Sequence, residues 1–197
     1  IHQTKELWMK EMLHEIRLAI DLIGEDRFAE AYKAMARISR IQAVMTLSWD
    51  VLSTLTPVDY LKFRDVLGAS SGFQSEQFRE IEFRLGLKNP AFLEQHPEGT
   101  AGRERLEAAL REASIREAAI DALGRAGFDV GDRSVEALSA AWLQVYRDAE
   151  RWFELYELAE KLVDIDDSLA SWRHKHVLTV ERISGNKRGT GGSAGAP

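Results

Sequence analysis

The sequence predicts an all-α protein: a helical bundle with long core helices and a small peripheral helical insertion, forming one domain over residues 1–197. Three observations carry that expectation. Long stretches are built from Ala, Leu, Glu and Arg, which favour helix, and only four prolines interrupt 197 residues. Apolar side chains recur at spacings near 3.6 residues, the period of one helix face. No segment alternates apolar and polar residues in the way a half-buried strand requires.

Each element follows from local signals. The first helix is expected from about Lys5 to Ile23, capped by Thr4, with Leu7, Met12, Ile16, Ala19 and Ile23 on one face. Gly24-Glu25-Asp26 ends it. A second helix, from about Arg27 to Leu55, carries Ala31, Met35, Ile38, Gln42, Met45 and Trp49 in register. Thr56-Pro57 marks a new start, since threonine can cap and proline suits the first helical position. The short helix that follows holds Asp59, Tyr60, Phe63 and Arg64. Gly68 to Gly72 reads as a loop, and Ser75 to Leu85 as helix. Residues 87–133 are punctuated by Pro90, Pro97 and Gly99 and carry alternating charge over two short helices, Arg103–Ala113 and Ile115–Ala126. They read as the peripheral insertion, with solvated faces. Asp132 or Ser134 then opens a long helical pattern reaching about Ser184, with a break near 148–151.

Composition narrows the function classes. A hydrophobic fraction of 45% and a charged fraction of 29% suit a globular chain, and a net charge of −6 offers no surplus of cations for nucleic-acid phosphates. The chain contains no cysteine, so disulfide and thiolate chemistry are excluded and a reducing compartment, the cytoplasm, is expected. No apolar run approaches the roughly 18–20 residues that cross a bilayer. No signal peptide is visible from Ile1 onward, and both ends read as limits within a longer chain.

Among the five histidines, His176 stands out. It is in register with Leu169, Trp172, Val180 and Ile183 on an aromatic stripe, whereas His174 falls nearer the helix flank. A packed core histidine and a metal ligand both fit such a position. No His-Glu-x-x-His pattern or cysteine cluster accompanies it, so a free transition metal would be poorly held; haem iron, whose macrocycle supplies four ligands, would not. His14 and His96 read as structural, and His2 stands in what would be a polar loop. Tyr60 and Arg64, at i and i+4, share a helix face, and arginine is shaped to grip a carboxylate bidentately. A surface pairing of Arg64 with Asp59 or Glu82 fits equally well. The run Gly185 to Gly195, with Lys187, Arg188, Thr190 and Ser193, follows a helix rather than a strand, so it fails as a phosphate-binding loop. A flap closing over a ligand and an unstructured tail both remain open.

Taken in order, the motifs resemble those of one family. His2-Gln3-x-x-Glu6-Leu7-Trp8-Met9-Lys10 is followed by Arg40-Ile41-x-x-Val44-x-Thr46-Leu47 with Trp49, then by Pro57-x-Asp59-Tyr60-x-x-Phe63-Arg64. Ser71-Gly72-Phe73-Gln74-Ser75 with Glu82-Phe83 comes next, and then Leu155 to Val163, Trp172-Arg173-x-x-His176, Val180-Glu181-Arg182 and the glycine-rich run. These collinear blocks cover about two-thirds of the chain and resemble the haem-dependent tryptophan 2,3-dioxygenases. The resemblance implies haem b as cofactor, L-tryptophan and O2 as substrates, N-formyl-L-kynurenine as product, and a homotetramer. It implies His176 as the axial ligand to the haem iron, with Trp49, Ser71 and Gly72 beside the haem. It places His2 against the indole N–H of the substrate, and Tyr60, Arg64 and Thr190 around its amino-acid portion. Two alternatives keep the bundle: a haem-binding relative acting on another indole or aromatic amino acid, and a non-catalytic haem-binding protein.

Overall fold

The computed structural model of the chain describes residues 1–68 and 74–185. These form eight α-helices and two short 3₁₀ turns, with no strand among the described residues. Helix α1 (His2–Gly24) and helix α2 (Phe28–Leu52) form a hairpin through Glu25-Asp26-Arg27. Asp26 takes a left-handed conformation at φ +56°, which aspartate tolerates better than most residues. The Arg125 guanidinium fixes the turn, donating to the Asp26 carboxylate and, at 2.6 Å, to the Ile23 carbonyl that α1 leaves without an intrahelical partner.

α1 starts earlier than its capping signal predicts. Thr4 lies inside its first turn, and the Lys5 backbone N–H donates to the Ile1 carbonyl at 2.9 Å. The buried face also differs from expectation. Leu7 is exposed, while Lys5, Met9, Met12, Ile16, Ala19 and Ile23 are buried. On α2 the predicted stripe is buried along its length, and the completely buried Ala31 and Ala34 let neighbouring backbones approach closely.

Helix α3 (Pro57–Phe63) begins as its sequence requires: Pro57 occupies the first turn, and Thr56 Oγ1 accepts from the Asp59 N–H at 3.2 Å. Helix α4 (Glu76–Leu85) is capped by Ser75 and ends at Gly86, whose φ of +113° and closeness to the Arg116 side chain both demand glycine. α4 is unusually charged for a buried element. Arg79, Glu80, Glu82 and Arg84 are all buried, and they stay there because they are paired. Glu80 accepts from Arg84 at 2.8 Å and from Arg17 of α1, and Glu82 accepts from Arg79.

Residues 87–133 divide in two. Helix α5 (Ala101–Arg111) joins the 3₁₀ turn Pro90–Gln95 in a small satellite core of Phe83, Leu106 and Ala109. Helix α6 (Ile115–Arg125) instead buries Ile115, Ala118, Ala119, Ile120, Ala122 and Leu123 in the main core, against α1. Its burial places α6 within the bundle rather than at its periphery. Helix α7 (Val135–Arg147) is capped by Ser134, and residues 148–152 separate it from helix α8 (Phe153–Ser184). At 32 residues, α8 is about 48 Å long. It packs along α2, buries Leu155, Leu158 and Ile165 in the main core, and carries the candidate site near its far end. No helix among the described residues is long and apolar enough to cross a membrane.

Candidate active site

One turn apart on α8, Trp172 and His176 fall on the same face and meet side chains from three other helices. The His176 ring stacks on Trp49 of α2, with centroids 4.6 Å apart and planes 17° from parallel. Trp172 lies 5.6 Å from His176 and 5.4 Å from Trp49, and Phe78 of α4 stacks on Trp172 at 4.9 Å. From α1, the Lys5 ammonium stands 2.7 Å from the centre of the Trp49 ring. The result is an aromatic wall with one half-buried imidazole and one buried cation.

Burial weakens the hold of both bases of this wall on their protons. Burial pushes the His176 imidazole below its usual range, and the neighbouring Lys5 ammonium and His2 push it further. A neutral imidazole keeps the lone pair that a metal requires. Burial likewise pushes the Lys5 ammonium down to about 7. Lys5 is only 4% exposed, and its Nζ has no hydrogen-bond partner among the described residues. The indole nitrogens of Trp49 and Trp172 are in the same position. Three buried donors without acceptors around one imidazole depart from the rule that buried polar groups are paired.

The helix segment bearing His176 is held firmly from two sides. Arg173 donates to Glu82 of α4 at 2.7 Å, Lys175 pairs with Asp50 of α2 at 2.5 Å, and Arg182 donates to the Ser53 carbonyl at 2.6 Å. The start of α1 is fixed in a similar way. Glu6 accepts from Ser75 at 2.7 Å and from Gln77, whose amide also reaches the Glu6 carbonyl at 2.9 Å. These clasps set the positions of His2 and Lys5 relative to α8.

The structure brings His2, Trp49 and His176 into one electrostatic neighbourhood. His2 is the first residue of α1 and keeps much of its surface in solvent, yet its imidazole is pushed down, by burial first and then by Lys5. Tyr60 and Arg64 sit on successive turns of α3 and the residue that ends it, with the Arg64 N–H donating to the Tyr60 carbonyl. Tyr60 meets Phe63 edge to face at 5.6 Å, and α3 packs on α8. Asp59 is held by Lys62 and Thr56, and Glu82 by Arg79 and Arg173. Ser71, Gly72 and Thr190 lie outside the described residues. Lys5 is the site residue that sequence reasoning passed over. Its signal was register: Lys5, Met9, Met12 and Ile16 are spaced as one stripe, and Leu7 is not on it.

Among the described residues no group of three His, Asp, Glu or Cys side chains converges, so protein ligands alone would leave a metal on His176 under-coordinated. The macrocycle of haem would remove that difficulty, and an aromatic wall with donors unpartnered among the described residues suits a planar group carrying carboxylates. The residues fit haem. Fold and site thus define an α-helical bundle that sets His176 against an aromatic wall.

Comparison with known proteins assigns it more closely. The chain belongs to the tryptophan 2,3-dioxygenase family, whose model matches residues 1–127 and 128–197. It is 56% identical to the tryptophan 2,3-dioxygenase of Caulobacter vibrioides over 206 residues, which cover 99% of this chain and 78% of that protein. The Bacillus cereus enzyme of the same name is 48% identical over 99% of this chain and 74% of its own length. The Burkholderia pseudomallei enzyme is 46% identical over all of this chain and 68% of its own length.

Proposed function

We propose that the chain inserts both atoms of O2 across the indole 2,3-bond of L-tryptophan, giving N-formyl-L-kynurenine, with haem b held by His176. The observation that carries this reading is the half-buried His176 stacked on Trp49, in a wall of donors unpartnered among the described residues. Haem, when bound, supplies the oxygen chemistry. The protein's own residues hold and orient the substrate and exclude water.

His176 offers the iron a neutral imidazole, and the clasps at Arg173, Lys175 and Arg182 prevent the helix beneath it from yielding. Trp49, with Ser71 and Gly72 from the stretch of sequence before α4, would form the haem surroundings. A substrate indole N–H is a donor and requires an acceptor. His2, kept neutral by burial and by Lys5, provides one. The zwitterionic end of the substrate requires a cation for its carboxylate, and Arg64 answers that need with two parallel hydrogen bonds. Tyr60 lines the same side, and Thr190 engages the ammonium or carboxylate. The working form is a cytoplasmic homotetramer, a reading that the exposed apolar side chains Leu47, Val51, Val58, Leu61 and Val66 support.

The test is an optical titration of ferrous, haem-reconstituted protein with L-tryptophan in air. A Soret shift followed by growth of N-formylkynurenine absorbance is expected. A normal Soret band that does not respond to tryptophan would overturn the assignment.

A further inference from the structure

Lys5 is an exception to a rule the rest of the molecule obeys. Every other buried charged side chain among the described residues has an opposite charge beside it: Glu15 has Arg37, Glu80 has Arg17 and Arg84, and Glu82 has Arg79 and Arg173. Lys5 is as buried as these, yet among the described residues the face of Trp49 is all that meets its ammonium. A cation–π contact offsets a fraction of what it costs to take an ammonium out of water. α1 has exposed neighbours at Thr4 and Leu7 where a lysine would be solvated without cost. The charge stands instead one turn from His2, against the ring on which His176 stacks.

The complement of a buried ammonium is a carboxylate, which both neutralises it and accepts its hydrogen bonds. We propose that Lys5 is a carboxylate anchor of this pocket, a positioning residue that awaits an acid group carried in by the pocket's occupant. The inference rests on the haem reading above. Two occupants bring carboxylates: a porphyrin, through its propionates, and the amino acid, through its α-carboxylate. Arg64 already answers the second, and Lys5 lies on the Trp49–His176 wall, so the propionate is the expected source.

The experiment compares wild type with Lys5→Met, which keeps the length and loses the charge, and with Lys5→Arg, which restores it. Each is titrated with hemin and with hemin dimethyl ester, followed at the Soret band, and the loaded proteins are titrated with L-tryptophan. Circular dichroism of the haem-free proteins reports folding. The expected result is hemin affinity about tenfold lower in Lys5→Met, unchanged ester affinity, and partial recovery in Lys5→Arg. Unchanged hemin affinity with tryptophan affinity weakened by a similar factor would also support an anchor, with the substrate as its source. A folded Lys5→Met protein that binds hemin and tryptophan as wild type does would overturn the proposal. Should Lys5→Met fail to fold, wild type decides through its own preference: tighter binding of hemin than of the ester supports a propionate anchor, and equal binding, with Lys5→Arg also unchanged towards tryptophan, overturns it. Wild type that takes up no hemin at all would instead overturn the haem reading, so the two failures are distinguishable.

Discussion

The two ends of the bundle treat their buried polar groups in opposite ways. Where α6 begins, each group answers another. Ser114 Oγ accepts from the Glu117 N–H, the Ser114 N–H donates to the Glu117 carboxylate at 2.7 Å, and Lys88 donates to that carboxylate and to the Glu112 carbonyl, each at 2.6 Å. Burial alone would raise the Glu117 carboxyl, yet the hydrogen bonds from Lys88 and Ser114 hold it down to about 2. Around His176, by contrast, Lys5, Trp49 and Trp172 bury donors that meet no acceptor among the described residues. One end is complete as a protein structure. The other buries donors that no described residue satisfies, the feature on which the proposed site rests.

The comparison is broken most severely at His176. Replacing it with Ala should abolish the normal haem Soret band while leaving the helical circular dichroism of the haem-free protein unchanged, because the ring is only half-buried and the segment is held by Arg173, Lys175 and Arg182. A retained wild-type spectrum would remove His176 from the iron. Next in size is Arg64→Ala. Loss of charge-assisted hydrogen bonds to a carboxylate should raise the tryptophan KM by at least about tenfold. A near-normal KM, measured at saturating O2, would show that the substrate carboxylate lies elsewhere.

The helix faces on which both residues lie were legible in the sequence, and for a physical reason: periodicity reports which residues share a face. The stripe ending in Trp49, the register of His176 with Trp172, and the Thr56-Pro57 start all follow from local rules. What escaped depends on contacts between distant segments. α6 looked solvated because its alternating charges are conspicuous, whereas the alanines that share its buried face with Ile115, Ile120 and Leu123 give little hydrophobic signal and still pack fully. Thr4 offered a cap, but α1 extends past it to His2. Lys5 escaped because a lysine is expected in water, and only the fold shows it under Trp49. The clasp between Arg173 and Glu82 joins residues 91 apart in sequence, beyond the reach of any pattern.

The complete end supplies the smallest effect and the sharpest control. Glu117→Ala removes the carboxylate from the capping box and from Lys88, and should lower stability by about 1–2 kcal/mol, or a few degrees in Tm for a chain of this size. Because the folded carboxyl titrates near 2, well below its ordinary 4.5, the unfolded chain binds more protons between those values. The contribution of Glu117 is therefore fully present above about pH 4.5 and lost as pH falls towards 2. Urea unfolding of both proteins should give a constant gap at neutral pH that closes through that window, with hemin binding unaltered at pH 7. A gap that persists at the acid end would mean that lost packing, not the charged network, accounts for the difference. If hemin affinity fell with it, the two ends would be coupled, and the division between a self-sufficient region and a ligand-dependent one would not hold.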